Sequence, residues 1–194
     1  MLSSPEIARG MQGALRFLQR DPAAPAYFDN TFAACLRSFR VMVLAAPIYG
    51  VYLLLHYSSV ETAADGAEIL AVEALRYVVD WLLFPVIFYE IARRRGWLDR
   101  YPRYIVALNW IGLPAMILVV MAEAVAAVAP AIVAALVAYG AQALLFYWFL
   151  MATRLTLRSS WLLAALLLIV DWVPSLFLSL IVERFLGVTA IVGA

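Results

Sequence analysis

Glu73, Arg76 and Asp80 sit at helical spacing on one face of a segment otherwise suited to lipid, and Asp171 stands in another. Asp80 follows Arg76 by one helical turn within the stretch Glu73–Arg95 (EALRYVVDWLLFPVIFYEIARRR), and Asp171 lies near the middle of a second apolar stretch. A charge left unpaired at such depth costs at least about 2.5–3.5 kcal/mol, so each of these residues needs a partner or a use. A spacing of four places Arg76 and Asp80 on one helix face, where they can pair. In use, Asp80 and Asp171, tuned by Arg76, would form a relay for protons or small cations. Merely partnered, Arg76 would neutralise one or both aspartates and lock helices together. The lock is the expected state, because a transporter usually carries more polar lining than this chain offers.

Asn109 and Gln142 complete the intramembrane polar set, each a lone amide in its own apolar segment. Both are expected to make helix-to-helix hydrogen bonds, which average about 0.6 kcal/mol in a membrane protein. Val79-Asp80-Trp81 with Pro85 echoes Val170-Asp171-Trp172 with Pro174, but three matching residues lie within chance.

Other chemistry finds no footing. One cysteine, Cys35, and one histidine, His56, build neither an intrachain disulfide nor a metal site. No HExxH, GxSxG or phosphate-binding glycine pattern occurs, and no serine sits in a nucleophile-like context. A basic stripe interleaved with aromatics is missing as well, which excludes nucleic acid as a partner. The chain is therefore read as a non-enzyme with no catalytic residue, metal or cofactor.

The elements that must position these residues follow from composition. Hydrophobic residues make up 66% of the 194 and charged residues 14%, against about 45–50% and about 25% in soluble domains. So much apolar surface lacks a polar shell, and the solvent must be the lipid bilayer. The first thirty residues contain no apolar core of a cleavable leader, so the first span is expected to direct insertion itself.

Five apolar runs are long enough to cross a bilayer, for which a helix needs about 20 residues. They are Val41–Tyr57, Ile69–Ile91, Tyr104–Ala124, Pro130–Met151 and Trp161–Val182. The fold class is thus all-α, a polytopic transmembrane bundle of five spans. Residues 1–40 form a cytoplasmic N-terminal segment, 41–186 the transmembrane domain and 187–194 a short tail. Within the first segment Pro5–Arg20 reads as an amphipathic helix, with Ser4 as its cap. It either lies on the membrane, with Arg9, Arg16 and Arg20 toward anionic headgroups, or packs on the protein's own loops. Asp29 or Asn30 is expected to cap the next helical segment, and Gly96 to stop the second span.

All fourteen basic residues are arginines. Arg9, Arg16, Arg20, Arg37 and Arg40 precede the first span. Arg93, Arg94, Arg95, Arg100 and Arg103 follow the second, and Arg154 and Arg158 follow the fourth. Alternating spans bring these twelve to one side, which the positive-inside rule makes cytoplasmic, with the C-terminus outside.

This layout, with Pro47 and Gly50 in the first span and RYPRYIVALNW (Arg100–Trp110) leading into the third, resembles the Yip1-like membrane proteins in their divergent bacterial forms. The resemblance implies five closely spaced helices, a cytoplasmic N-terminal segment and an adaptor or scaffold role, with no functional residue carried across. The expected protein is thus a multi-pass component of the bacterial cytoplasmic (inner) membrane. It works by lateral association with other membrane proteins or with itself, and small residues such as Ala45, Ala46, Gly50, Gly112, Ala134, Ala138 and Gly140 suit close packing. The alternative is a small proton- or ion-coupled transporter centred on Arg76, Asp80 and Asp171. A lipid-handling protein is the third reading.

Overall fold

One helix serves as the post around which the others stand. The computed structural model describes residues 2–190. Seven α-helices follow in chain order: α1 (Ser4–Leu18), α2 (Phe32–Ser38), α3 (Val41–Ser58), α4 (Gly66–Arg95), α5 (Tyr101–Ala126), α6 (Ala131–Leu157) and α7 (Trp161–Phe185). A 3-10 turn spans Ala24–Tyr27, and two short strands, β1 (Val60–Glu61) and β2 (Thr189–Ala190), pair antiparallel. Helix α5 packs along α3 and α6 and also carries α1 and α2, whereas α4 packs chiefly on α7.

Four stretches are long and apolar enough to cross a membrane: Phe32–Ser58, Tyr101–Ala126, Ala131–Leu157 and Trp161–Phe185. The first joins α2 to α3 across a turn at Phe39–Arg40. Helix α4 is not among them. It is the longest helix, but Glu68, Glu73, Arg76, Asp80 and Glu90 break its apolar run.

Local sequence sets the helix ends. The cap of α1 is Ser3, one residue before the expected Ser4, and its hydroxyl accepts from the Glu6 N–H at 3.3 Å. Thr31 caps α2 by accepting from the Ala34 N–H. Neither Asp29 nor Asn30, expected in that role, supplies it; Asn30 instead bridges to the α4–α5 connection and the first turn of α5, where Nδ2 donates to the Asp99 carbonyl and Oδ1 accepts from the Arg103 N–H. Asp65 caps α4 through the Ala67 and Glu68 N–H groups. Gly96 stops α4 as expected, with φ +69°, a left-handed conformation that glycine adopts without a Cβ penalty.

Contacts sort the connections into two ends. At one end the N-terminal segment meets the α4–α5 and α6–α7 connections: Arg103 Nε donates to the Phe28 carbonyl, and Arg100 donates to the Leu157 carbonyl. At the other, His56 of α3 lies 3.5 Å from Glu123 of α5, Thr62 donates to the Leu186 carbonyl, and β1 pairs with β2. Helices α3 to α7 each run from one end to the other.

Large buried side chains concentrate toward the first end, among them Phe17, Phe28, Phe88, Tyr104, Trp110, Trp148 and Leu157. Helix α1 is part of this core, lying against α5 and α6 themselves and not only on loops. A Cβ on Gly10 would run into the Trp110 ring, so only glycine permits this approach. Trp148 Nε1 donates to the Ala14 carbonyl at 2.8 Å, and Phe17 stacks on Phe28. By helix rise, Trp110 sits about 14 Å along α5 from its start. The helix is therefore a fixed part of the bundle near its arginine-rich rim.

Candidate functional site

The polar groups inside the bundle divide into a closed network and an open cavity, and the division differs from the one the spacing suggested. Arg76 Nε lies 2.9 Å from Glu73 Oε2, one turn toward the α4 N-terminus. Glu73 is buried at 3% side-chain exposure and Arg76 is partly buried at 13%. Tyr49 and Tyr57 of α3 donate their hydroxyls to the two Glu73 oxygens at 2.5 and 2.7 Å. Arg76 also donates to the Tyr49 hydroxyl and to Ser179 of α7, whose hydroxyl in turn donates to Glu183. Three helices thus share one saturated network. Stacked rings extend it along α3, from Tyr77 to Tyr49, Tyr52 and His56.

The expected pairing of Arg76 with Asp80 is therefore corrected. Spacings of three and four both place a carboxylate beside Arg76. The deciding groups are Tyr49, Tyr57 and Ser179, which fix Glu73 and the guanidinium together from neighbouring helices. Asp80, one turn further along, has an Oδ1 with no hydrogen-bond partner among the described residues.

Asp80 and Asp171 instead line one cavity of about 280 Å³ between α4, α5 and α7. Trp81, Phe84, Met116 and Val119 give its walls an apolar surface, and Asn109 lies at its edge. Asp171 also borders an adjoining cavity of about 270 Å³, where Gln142 and Trp172 stand. From the helix rise, Asp80 lies about 22 Å from the end of α4 at Arg95, and Asp171 about 15 Å from the start of α7. Both are near mid-height. Asn109 is tied as expected, donating to Ser38 Oγ of α2 at 2.8 Å, so it holds helices together at the cavity's edge.

No guanidinium or imidazole lines either cavity. Among the described residues no group of three or more His, Cys, Asp or Glu side chains is placed to hold a metal ion. The chemistry available is that of two carboxylates in apolar walls. A carboxylate in such surroundings needs a neutralising neighbour or a proton.

The arginines expected at the membrane surface are mostly engaged by the protein. Arg9 pairs with Asp29 at 2.7 Å and Arg16 with Asp21 at 2.6 Å. The Asp21 carboxyl is held below its usual range by the Ala23 N–H and the Arg16 guanidinium. Arg20 donates to the Tyr147 hydroxyl and lies over its ring. Arg93 and Arg94 both grip Glu90, and Arg95 is exposed. Arg37 pairs with Glu6, and Arg154 stacks over Trp161 with 4.0 Å to the ring centroid.

No family model, curated protein or solved structure matches the chain significantly, so the Yip1-like resemblance rests on layout alone.

Proposed function

We propose that the chain is a five-span membrane protein, N-terminus cytoplasmic and C-terminal end outside, that takes up protons or a small cation at Asp80 and Asp171. The observation that carries this is the shared cavity: two mid-height carboxylates line it, and the one nearby arginine is committed to Glu73. Taking α4 as the fifth span is supported by its 30 residues, about 45 Å of helix, and by the internal neutralisation of its Glu73–Arg76 pair. The orientation is supported by twelve arginines gathered at the end where the N-terminal segment meets α5 and α6. The bacterial cytoplasmic membrane remains the proposed location.

Reconstituted into liposomes under an imposed pH gradient, the wild type should carry proton flux above empty liposomes. Asp80→Asn and Asp171→Asn should each reduce that flux at least about tenfold while leaving the unfolding temperature near wild type. Wild-type flux no greater than that of empty liposomes in proton and alkali-cation gradients would refute the reading and leave the aspartates structural.

A second reading, lateral association as an adaptor or scaffold, is favoured by one observation. Gly50 and Gly140, expected at close helix contacts, have open space where a Cβ would stand. Gly50 also lines an apolar groove of about 370 Å³ between α3 and α4 with Ala46 and Ala74. Small residues left unpacked within one chain suit a neighbouring helix in the bilayer. Crosslinking from a cysteine placed at Gly50, in a chain with Cys35→Ser, should capture such a neighbour, and its absence would remove this reading.

A further inference from the structure

At the arginine-rich end one cavity is not filled by the protein's own ion pairs. It measures about 240 Å³ and is lined by Asn30, Asp99, Arg100, Arg103, Thr156 and Arg158. Three guanidiniums face a single carboxylate there. That carboxylate, Asp99, is mostly exposed and lies 3.7 Å from Arg100 Nε. Arg100 and Arg103 are oriented by carbonyls, those of Leu157 and Phe28 respectively. Arg158 has no hydrogen-bond or ion-pair partner among the described residues. The neighbouring cavity between α1 and α2 differs in kind, because its charges close on each other as Arg9–Asp29 and Arg37–Glu6.

Thr156 is the second, independent observation. It is only 7% exposed, it lines the cavity, and its Oγ1 has no hydrogen-bond partner among the described residues. A buried hydroxyl left unpaired costs about 1–3 kcal/mol and needs an explanation. Here a donor hydroxyl and an unpaired guanidinium line one pocket at the arginine-rich end of the bundle, which the proposed orientation places at the headgroup region. That combination of donors is suited to the oxygens of a phosphate group.

We propose that this pocket binds a phosphate group, with Arg158 and Thr156 as its principal donors and Arg100 and Arg103 supplying the surrounding field. The volume is below the range of about 300–1,000 Å³ typical of drug-sized ligands, which suits a headgroup or a free phosphate. Basic pockets between membrane helices on the cytoplasmic side hold lipid headgroups in this way.

The test uses the full chain in detergent and reads lipid adducts by native mass spectrometry. Phosphatidylglycerol, phosphatidic acid and phosphatidylcholine are compared, and a lipid-free arm titrates inorganic phosphate against the unfolding temperature. Arg158→Asn is the first variant, because Arg158 has φ +53° and asparagine tolerates that left-handed backbone. Thr156→Val is the second, a shape-conserving change. Each should weaken phosphate-group binding about tenfold, the order expected for one charge-assisted hydrogen bond. Arg94→Gln, outside the pocket and bonded to Glu90, should leave it unchanged. Preference for the anionic lipids assigns the phosphate to a headgroup; stabilisation by inorganic phosphate alone assigns it to a soluble compound. Equal loss in Arg94→Gln, or no loss in either pocket variant, would overturn the proposal. So would a Thr156→Val chain that is more stable than wild type with lipid binding intact.

Discussion

Replacing Arg76 by methionine tests the internal pairing most directly. The change keeps the unbranched aliphatic stem and removes the guanidinium with its charge, so Glu73 loses its partner at 2.9 Å while Tyr49 and Tyr57 still donate to it. Breaking a buried pair from one side costs about 3–5 kcal/mol. The two retained tyrosine donors place the expected loss at the lower limit, about 3 kcal/mol, a large part of a typical stability of about 5–15 kcal/mol. Adding Glu73→Gln removes the orphaned charge and should restore about 1–2 kcal/mol, within the range for residues in one network. Adding Asp80→Asn instead should restore nothing. The assay is reversible unfolding in mixed micelles, followed by the fluorescence of the six tryptophans. If Asp80→Asn rescued Arg76→Met and Glu73→Gln did not, the guanidinium would belong to Asp80 and the pairing assigned to Glu73 would be wrong.

Two further outcomes follow from the N-terminal segment. Gly10→Leu should drive α1 off the Trp110 ring and expose the first twenty residues to protease, while Gln12→Leu, at an exposed position of the same helix, should not. Asp21 has a carboxyl pKa lowered in the folded state by the Ala23 N–H and Arg16. Its contribution is therefore present above the unfolded value of about 3.9 and is lost as pH falls through the lower folded value. Limited proteolysis between α1 and α2 should accordingly rise in strong acid, and Asp21→Asn should show the raised cleavage already at neutral pH. An unchanged profile in the variant would refute the role given to Asp21.

The long apolar helices were legible because lipid demands so simple a pattern. The helical limits of α3 and α5–α7 agree with the apolar runs to within about two turns, and Gly96 announced the end of α4. Partner choice was harder to read. Glu73 and Asp80 flank Arg76 at equivalent helical spacings, and only tyrosines of α3 and a serine of α7, far away in sequence, decide between them. The N-terminal helix showed its amphipathic face, yet nothing local told whether that face met lipid or protein. The pair Gly10 and Trp110 made the choice through a close approach across a hundred residues. Thr156 gave no signal at all, since a threonine at a helix end is ordinary until its neighbours leave it unpaired.

Helix α4 packs chiefly on α7 and shares few contacts with the helices next to it in sequence. This sets a timetable for synthesis. The least lipid-compatible helix emerges second among the five long helices, and its main support emerges last. Until α7 is made, Ser179 and Glu183 are missing from the Glu73–Arg76 network, and the cavity around Asp80 lacks its third wall. Roughly sixty-five residues separate the end of α4 from the start of α7, and through that interval α4 lacks its main packing partner. The pairing of β1 with β2 then fastens the segment after α7 to the loop just before α4. A chain that stops before α7 therefore leaves Arg76 without Ser179 and Asp80 in a cavity without its third wall.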